Sequence, residues 1–202
     1  MKSNFLLSLC AAFILAVSLP VYADVESGAA APDFTLTDVE GNSRSLAEFK
    51  GKYVVLEWTN HGCPFVVKHY ESGNMQNLQT TYAAKGVIWL SINSSAPGKE
   101  GNMPPSEWKK TLVEKGSAAT ATLLDPDGTV GKLYGAKTTP HMYVINPEGN
   151  LIYQGAIDSI RSANQDDVAK AKNFVTAALD EAMSGKPVTT PTTKSYGCSV
   201  KY

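Results

Sequence analysis

Apolar positions along the chain fall into two kinds of pattern. Residues 53–58 (YVVLEW) and 87–92 (VIWLSI) are nearly continuous in apolar and β-favouring side chains, which predicts two strands buried on both faces. Between them, apolar residues recur at helical spacing from Val66 to Tyr82, although Gly73 weakens the middle of this predicted helix. A strand, a helix and a strand at this spacing predict a βαβ unit with parallel strands.

Shorter patterns surround this unit. In chain order they predict a strand at 33–37, a turn at 40–42, a helical turn at 46–49, a long loop at 94–105, a helix at 106–115, an edge strand at 121–124, a helix at 129–134, a hairpin at 142–145 and 151–154, and an amphipathic helix at 166–184. The final segment, 186–202, is rich in threonine and proline and has no pattern that would let it pack alone. It is therefore either anchored on the rest of the molecule or mobile.

The first residues have the layout of a cleaved signal peptide. Lys2 supplies a positive charge, residues 5–17 are apolar but short for a membrane span, and residues 21–23 (VYA) fit a small-residue cleavage site. We therefore expect a signal peptide at 1–23, cleaved near Ala23–Asp24, and a periplasmic or secreted mature protein. It would consist of one domain at 24–185 and a tail at 186–202.

Charge and hydropathy narrow the range of partners. The formal net charge is −1 at pH 7 and no block of basic residues exists, so we expect no nucleic-acid partner. No later apolar run approaches the length of a membrane span, so we expect no membrane association after cleavage.

Two cysteines remain once Cys10 leaves with the signal peptide: Cys63 and Cys198. An even number in an oxidising compartment makes a disulfide between them a natural expectation. Pairing alone does not distinguish a reactive thiol from half of a structural disulfide, and a metal ligand is a third reading of Cys63.

The position of Cys63 favours the reactive thiol. It follows a predicted buried strand and a short loop, and it precedes Pro64, a residue that suits the first position of a helix. The free N–H groups and the partial positive charge of a helix start favour a thiolate, which is the nucleophilic form of cysteine.

The order of these elements and four motifs resemble a known family. The motifs are APDFTLTDVEGNSRSLAEFKGKYVVLEW, NHGCPFVVKHY, TTPHMYVINPEGNLIYQGAID and the terminal YGCSVKY. Together they resemble the redoxins, which include the alkyl hydroperoxide reductase and thiol-specific antioxidant proteins, and in particular an exported peroxiredoxin-like subgroup. The resemblance implies an α/β thioredoxin-like fold: a central mixed sheet flanked by helices, with an N-terminal β-hairpin and an extended C-terminal tail.

Two departures from the family patterns restrict the reaction. Val66 stands where the Cys-x-x-Cys motif of thioredoxins has its second cysteine, so no local dithiol forms. The peroxidase pattern Pro-x-x-x-Thr-x-x-Cys finds Leu56 and Asn60 in place of its proline and threonine. This argues against efficient selectivity for peroxide.

The resemblance also implies roles for residues outside the cysteines. Thr139-Pro140 would be a cis peptide beside Cys63 whose preceding backbone pairs with a substrate chain. His141 would begin a strand close to Cys63, or be only a hydrogen-bonded histidine at a strand end. Glu57 would be a buried proton acceptor beneath the cysteine, or only a solvated acid on an edge.

These observations predict an exported thiol-disulfide oxidoreductase or peroxiredoxin-like antioxidant that needs no cofactor. Cys63 would attack a peroxide or a protein or small-molecule disulfide, Cys198 would resolve the product, and a periplasmic thiol reductant would reopen the disulfide. One alternative is a copper- or zinc-binding protein that uses Cys63, His61 and His141. The other is a non-catalytic binding module stapled by the disulfide. Lys68 and His69 are expected on the surface.

Overall fold

The computed structural model describes residues 25–202. The predicted signal peptide, its cleavage site and Cys10 lie outside the described residues. No helix in the described part of the chain has both the length and the apolar composition needed to cross a membrane.

Seven strands form one mixed sheet, and two more form a small separate pair. The strands are β1 (Thr35–Asp38), β2 (Ser43–Ser45), β3 (Val54–Trp58), β4 (Ile88–Asn93), β5 (Ala121–Leu124), β6 (Thr138–Thr139), β7 (His141–Ile145), β8 (Leu151–Gly155) and β9 (Cys198–Ser199). The sheet order is β2-β1-β5-β4-β3-β7-β8, and β6 pairs with β9. Strands β3, β4 and β5 run parallel, as the βαβ prediction requires, and the other pairs are antiparallel. Strand β5 is not the predicted edge strand, because β1 pairs with it.

Five α-helices cover the sheet: α1 (Pro64–Glu71), α2 (Asn74–Ala83), α3 (Pro105–Glu114), α4 (Thr129–Leu133) and α5 (Phe174–Met183). Short 3₁₀ segments lie at Leu46–Phe49 and Gln165–Lys170. The predicted helix after Cys63 is two helices, because Gly73 adopts φ 72°, a left-handed conformation that costs glycine little. The predicted helix 166–184 is likewise a 3₁₀ segment followed by α5.

Strand β3 separates two cores, one on each face of the sheet. Val55 packs with the helices that include Val66 and Leu179, whereas Leu56 and Trp58 pack on the opposite side. Every residue of β3 is buried, which confirms the prediction of a strand covered on both faces. The face of Val55 is also the face of Glu57, because side chains alternate along a strand.

The C-terminal tail is anchored along its length. Beside β8, the Gln154 N–H donates to Pro191 O and the Thr193 N–H to Gln154 O, both at 3.0 Å. Further on, β9 pairs antiparallel with β6, which lies directly before Pro140. The Tyr202 hydroxyl then donates to Ala136 O at 2.8 Å. The tail therefore crosses from the sheet edge to the start of β7.

Candidate active site

Cys63 is the residue immediately before α1, as predicted. Pro64 occupies the first turn of the helix, and the Cys63 carbonyl accepts the N–H groups of Val66 and Val67, each at 2.9 Å. The preceding loop is fixed by Asn60, whose side-chain oxygen accepts the Gly62 N–H at 2.9 Å. The Cys63 side chain is 0% exposed. The helix start therefore holds the sulfur inside the molecule and not in an open cleft.

The two cysteines lie together. The Cys63 Sγ donates to Thr139 O at 3.0 Å, and Thr139 is the residue paired with Cys198 across β6 and β9. Both cysteines are free thiols in this structure. Burial, followed by a hydrogen bond to Cys63, raises the pKa of Cys198 to about 12. Cys198 is therefore a protonated donor at neutral pH, and it meets the buried sulfur of Cys63.

The Thr139-Pro140 bond is cis, which confirms the prediction. Gly197 lies against this segment, and a Cβ on Gly197 would come within 2.1 Å of Thr139 O. Gly197 also has φ +140°, where other residues are strained. Glycine is what lets the tail approach this backbone closely enough to bring Cys198 to Cys63.

Glu57 is fully buried and accepts only from neutral donors. These are Trp89 Nε1 at 2.8 Å, Ser91 Oγ at 3.0 Å, the Tyr70 hydroxyl at 3.2 Å and Gln79 Nε2 at 3.4 Å. Burial raises the pKa of Glu57, and the hydrogen bonds oppose that shift. The alternative of a solvated edge acid is wrong, whereas a role in proton transfer stays a prediction.

His141 begins β7, as predicted, but its ring lies on the other face of the sheet from Glu57. It is paired with Trp58, and its ring centroid is 4.6 Å from that of Tyr143. Its Nδ1 is 3.1 Å from the Tyr143 hydroxyl and accepts the Lys137 N–H at 3.2 Å. These contacts hold the strand end, and a role at the thiol stays a prediction.

The metal alternative lacks an assembled ligand set. The His61 ring lies 4.6 Å from the ring of Tyr70 and 5.5 Å from that of Trp108, and burial lowers the pKa of His61 to about 4. Within residues 25–202, no three His, Cys, Asp or Glu side chains are grouped so that they could hold a metal ion. Cys63, His61 and His141 are therefore not a metal centre in this geometry.

Lys68 and His69 are not on the surface, and that prediction is wrong: both side chains are 0% exposed. Lys68 Nζ lies 2.8 Å from Asp158 Oδ2, and His69 Nε2 lies 3.8 Å from the same oxygen. The Tyr196 hydroxyl donates to Asp158 Oδ1. We call Lys68, His69, Asp158 and Tyr196 the Asp158 cluster. The sequence carried no signal for it, because its members are up to 128 residues apart.

Comparison with known proteins places this geometry in a family. The model of the AhpC/TSA family matches residues 27–154, which is more than half of the chain. The chain belongs to the AhpC/TSA family. It is also similar to the thiol-disulfide oxidoreductase ResA of Bacillus thuringiensis subsp. konkukian, with 28% identity over 130 residues that cover 64% of this chain and 69% of that protein.

Solved structures give the fold. An uncharacterized conserved protein of Geobacillus kaustophilus superposes with a TM-score of 0.75 and 28% identity, covering 92% of this chain and 98% of that one. The thioredoxin domain of a thiol-disulfide oxidoreductase of Bacteroides vulgatus gives a TM-score of 0.52 and 25% identity, covering 73% and 98%. The fold is thioredoxin-like, and the chain is an oxidoreductase of the redoxin type. The AhpC/TSA match ends at residue 154, before Asp158, Tyr196 and Cys198.

Proposed function

We propose that this chain is a thiol-disulfide oxidoreductase whose redox couple is Cys63 and Cys198. The single observation that supports it most is the contact of the two thiols at Thr139, 135 residues apart in sequence. A disulfide between the two sulfurs forms with the loss of two hydrogens to an oxidising substrate. Membership of a redoxin family is consistent with this couple.

Cys63 is the proposed nucleophile, because the start of α1 favours a negative charge on its sulfur. Cys198 is the proposed resolving cysteine, because it is paired with Thr139, whose carbonyl accepts the hydrogen bond of Cys63 Sγ; its raised pKa means that it must lose a proton before it attacks. Thr139 and Pro140 form the segment against which the sulfurs meet. Glu57, buried with a raised pKa, is a group that can take up a proton within the same core.

The oxidation half-reaction balances with either class of substrate. With a disulfide, the Cys63 thiolate attacks one sulfur, a mixed disulfide forms and the other sulfur leaves as a thiolate. With a peroxide, the thiolate attacks the distal oxygen, the O–O bond breaks, Cys63 becomes a sulfenic acid, and the displaced alkoxide or hydroxide takes up a proton and leaves as alcohol or water. Cys198 then gives up its proton and attacks the Cys63 sulfur, forming Cys63–Cys198, and the displaced substrate thiolate or hydroxide takes up a proton and leaves as thiol or water.

The reduction half-reaction uses the other sulfur. Cys198 is half-buried whereas Cys63 is fully buried, so an external dithiol reaches Cys198 first. Its thiolate forms a bond to the Cys198 sulfur, and Cys63 leaves as the thiolate that the helix start favours. The second thiol of the reductant then releases Cys198.

We infer that disulfides are the main substrate class and that peroxide is a weaker one. The similarity to ResA, named a thiol-disulfide oxidoreductase, supports the first. Leu56 and Asn60 replace the proline and threonine of the peroxidase pattern, and the Asn60 side chain is engaged by the Gly62 N–H. The signal-peptide pattern at 1–23 supports a place of action in the periplasm or outside the cell, with a thiol reductant there.

The test uses the mature chain, with Cys198→Ser as the trapping variant and Cys63→Ser as its control. Wild-type protein treated with a stoichiometric aromatic disulfide should form the Cys63–Cys198 bond, and Cys198→Ser should retain a mixed disulfide on Cys63, both read by mass spectrometry. Stoichiometric peroxide should give a sulfenic acid on Cys63 more slowly. A Cys198→Ser protein with no adduct on Cys63 under either treatment contradicts the proposal.

A further inference from the structure

The tail is tied down on both sides of Cys198, by two tyrosines of different character. Upstream, Tyr196 is 4% exposed and its hydroxyl enters the Asp158 cluster. Downstream, Tyr202 is 39% exposed and its hydroxyl donates to a backbone carbonyl. The upstream hydroxyl donates to a buried carboxylate, whereas the downstream hydroxyl donates to a backbone carbonyl.

Burying the charged groups of the Asp158 cluster in the core carries a desolvation penalty. Lys68 is 0% exposed and Asp158 is 3% exposed, and removing such a pair from water often costs as much as the pair returns. Asp158 is nevertheless fully engaged: Lys68 Nζ lies 2.8 Å from Oδ2, the Tyr196 hydroxyl donates to Oδ1, and the Ile160 N–H donates to Oδ1 at 3.0 Å. Lys68 Nζ also donates to Ile160 O at 3.0 Å. Stability alone is therefore a weak reason for the cluster.

The segments that the Asp158 cluster joins offer a better reason for its presence. Lys68 lies in α1, the helix that begins after Cys63, and Tyr196 is two residues before Cys198. The Tyr196 ring also lies 5.8 Å from the ring of Phe65 in the first turn of that helix. The cluster thus joins the helix that presents one sulfur to the segment that carries the other.

Gly197 is the residue that links Tyr196 to Cys198. Gly197 lies so close to Thr139 O that no side chain fits there. The tripeptide from Tyr196 to Cys198 is therefore fixed at both ends, at the Asp158 cluster and at the β6–β9 pair. With this segment in place Cys63 is 0% exposed, and Tyr196 belongs to the same core cluster as Cys63, with Cys198 packed against it.

We propose that Tyr196 is a positioning residue for Cys198, and that the Asp158 cluster is the latch that holds the tail over Cys63. Opening the latch exposes Cys63 to a large substrate and at the same time removes Cys198 from it. An open latch therefore favours the access of substrate to Cys63 and prevents Cys198 from resolving the product, and a closed latch does the reverse. This inference rests on the proposed function for its role in catalysis, but its geometry is testable without it.

The first measurement is access to Cys63. Tyr196→Phe removes only the hydroxyl, and in a Cys198→Ser background the labelling rate of Cys63 by a bulky maleimide reports how often the tail opens. We expect an increase of about tenfold, since a hydrogen bond to a charged group is lost. Tyr53→Phe is the matched control, because it removes a hydroxyl that donates to Ala182 O at 3.0 Å in another part of the core.

The second measurement is resolution, with both cysteines present. After oxidation of Cys63, the rate at which Cys63–Cys198 closes should fall several-fold in Tyr196→Phe and stay at the wild-type value in Tyr53→Phe. A general loosening of the fold would raise labelling in both variants, which would overturn the latch. Unchanged labelling in Tyr196→Phe would also overturn it. A third outcome separates the two proposals. If Cys63 is labelled faster in Tyr196→Phe but the wild-type protein forms no Cys63–Cys198 disulfide, the latch is supported and the proposed redox couple is rejected.

Discussion

Two buried carboxylates contact α1, and their surroundings are opposite. Glu57 is reached by the Tyr70 hydroxyl from this helix and is otherwise surrounded by neutral donors from Trp89, Ser91 and Gln79. Asp158 is reached from the same helix by the ammonium group of Lys68. The burial of Glu57 raises its pKa, so it is a group that can change protonation. Asp158 instead has the Lys68 ammonium group in contact, with Nζ 2.8 Å from Oδ2.

The same helix therefore contacts one carboxyl group that has neutral partners and one carboxylate that is paired with a cation. A carboxyl group with neutral partners keeps a proton available in the core, which suits proton transfer. A carboxylate paired with a buried lysine gains attraction only while both partners are present. The residues of α1 therefore reach Glu57 through Tyr70 and Asp158 through Lys68.

The largest expected effect on stability comes from removing the lysine that is paired with Asp158. Lys68→Met leaves the Asp158 charge buried without its cation, and the free energy of unfolding should fall by about 3–5 kcal/mol. Urea denaturation near neutral pH measures this loss. The matched control is Lys115→Met, because the Lys115–Glu71 pair, at 2.5 Å, lies near the surface and should contribute less than about 1 kcal/mol. Equal losses in the two variants would show that Lys68 does not compensate a buried charge.

A second effect comes from two histidines near α1, of which His69 is fully buried and His61 is half-buried. Burial lowers the pKa of both His61 and His69 from 6.5 to about 4, so the unfolded chain binds more protons than the folded one between these values. Stability should therefore fall as the pH is lowered from about 6.5 to about 4, by roughly 3 kcal/mol for each histidine. The raised pKa of Glu57 acts in the opposite sense, because protonating it favours the folded state as the pH falls.

Denaturation midpoints across this pH range measure the effect, and His69→Gln provides the control. The variant should show a shallower dependence of the free energy of unfolding on pH. A dependence identical to that of the wild-type protein would mean that His69 is not the neutral buried group described here.

The smallest expected effect on stability is on the Glu57 side. Glu57→Gln keeps the shape and the acceptor oxygen, so near neutral pH the free energy of unfolding should change by about 1 kcal/mol. The same substitution should remove one ionisation from the pH profile of Cys63 alkylation, measured in a Cys198→Ser background. A large loss of stability with an unaltered profile would make Glu57 a structural group like Asp158.

The predicted parts of the fold are those that local patterns specify. The buried strands β3 and β4, the helix start at Cys63 and the hairpin of β7 and β8 each follow from neighbouring residues. The cis bond before Pro140 came from the family resemblance, and the meeting of Cys63 with Cys198 came from the count of cysteines, since neither leaves a local trace.

The errors concern pairings between distant segments. The face of α1 that carries Lys68 and His69 would be exposed in an isolated βαβ unit, but the segment around Asp158 and the tail cover it. Strand β5 would be an edge if the N-terminal hairpin did not pair with it. A sequence pattern reports the periodicity of one element and not what covers it from far along the chain.

The missing side chain of Gly197 has a consequence for how this protein tolerates change. Every substitution at this codon adds a carbon where Thr139 O already stands, and the tail would have to lift to make room. Sequence drift elsewhere in the threonine-rich segment alters mostly outward-facing groups. A residue with no reactive group of its own therefore restricts which sequences let the tail lie against Thr139.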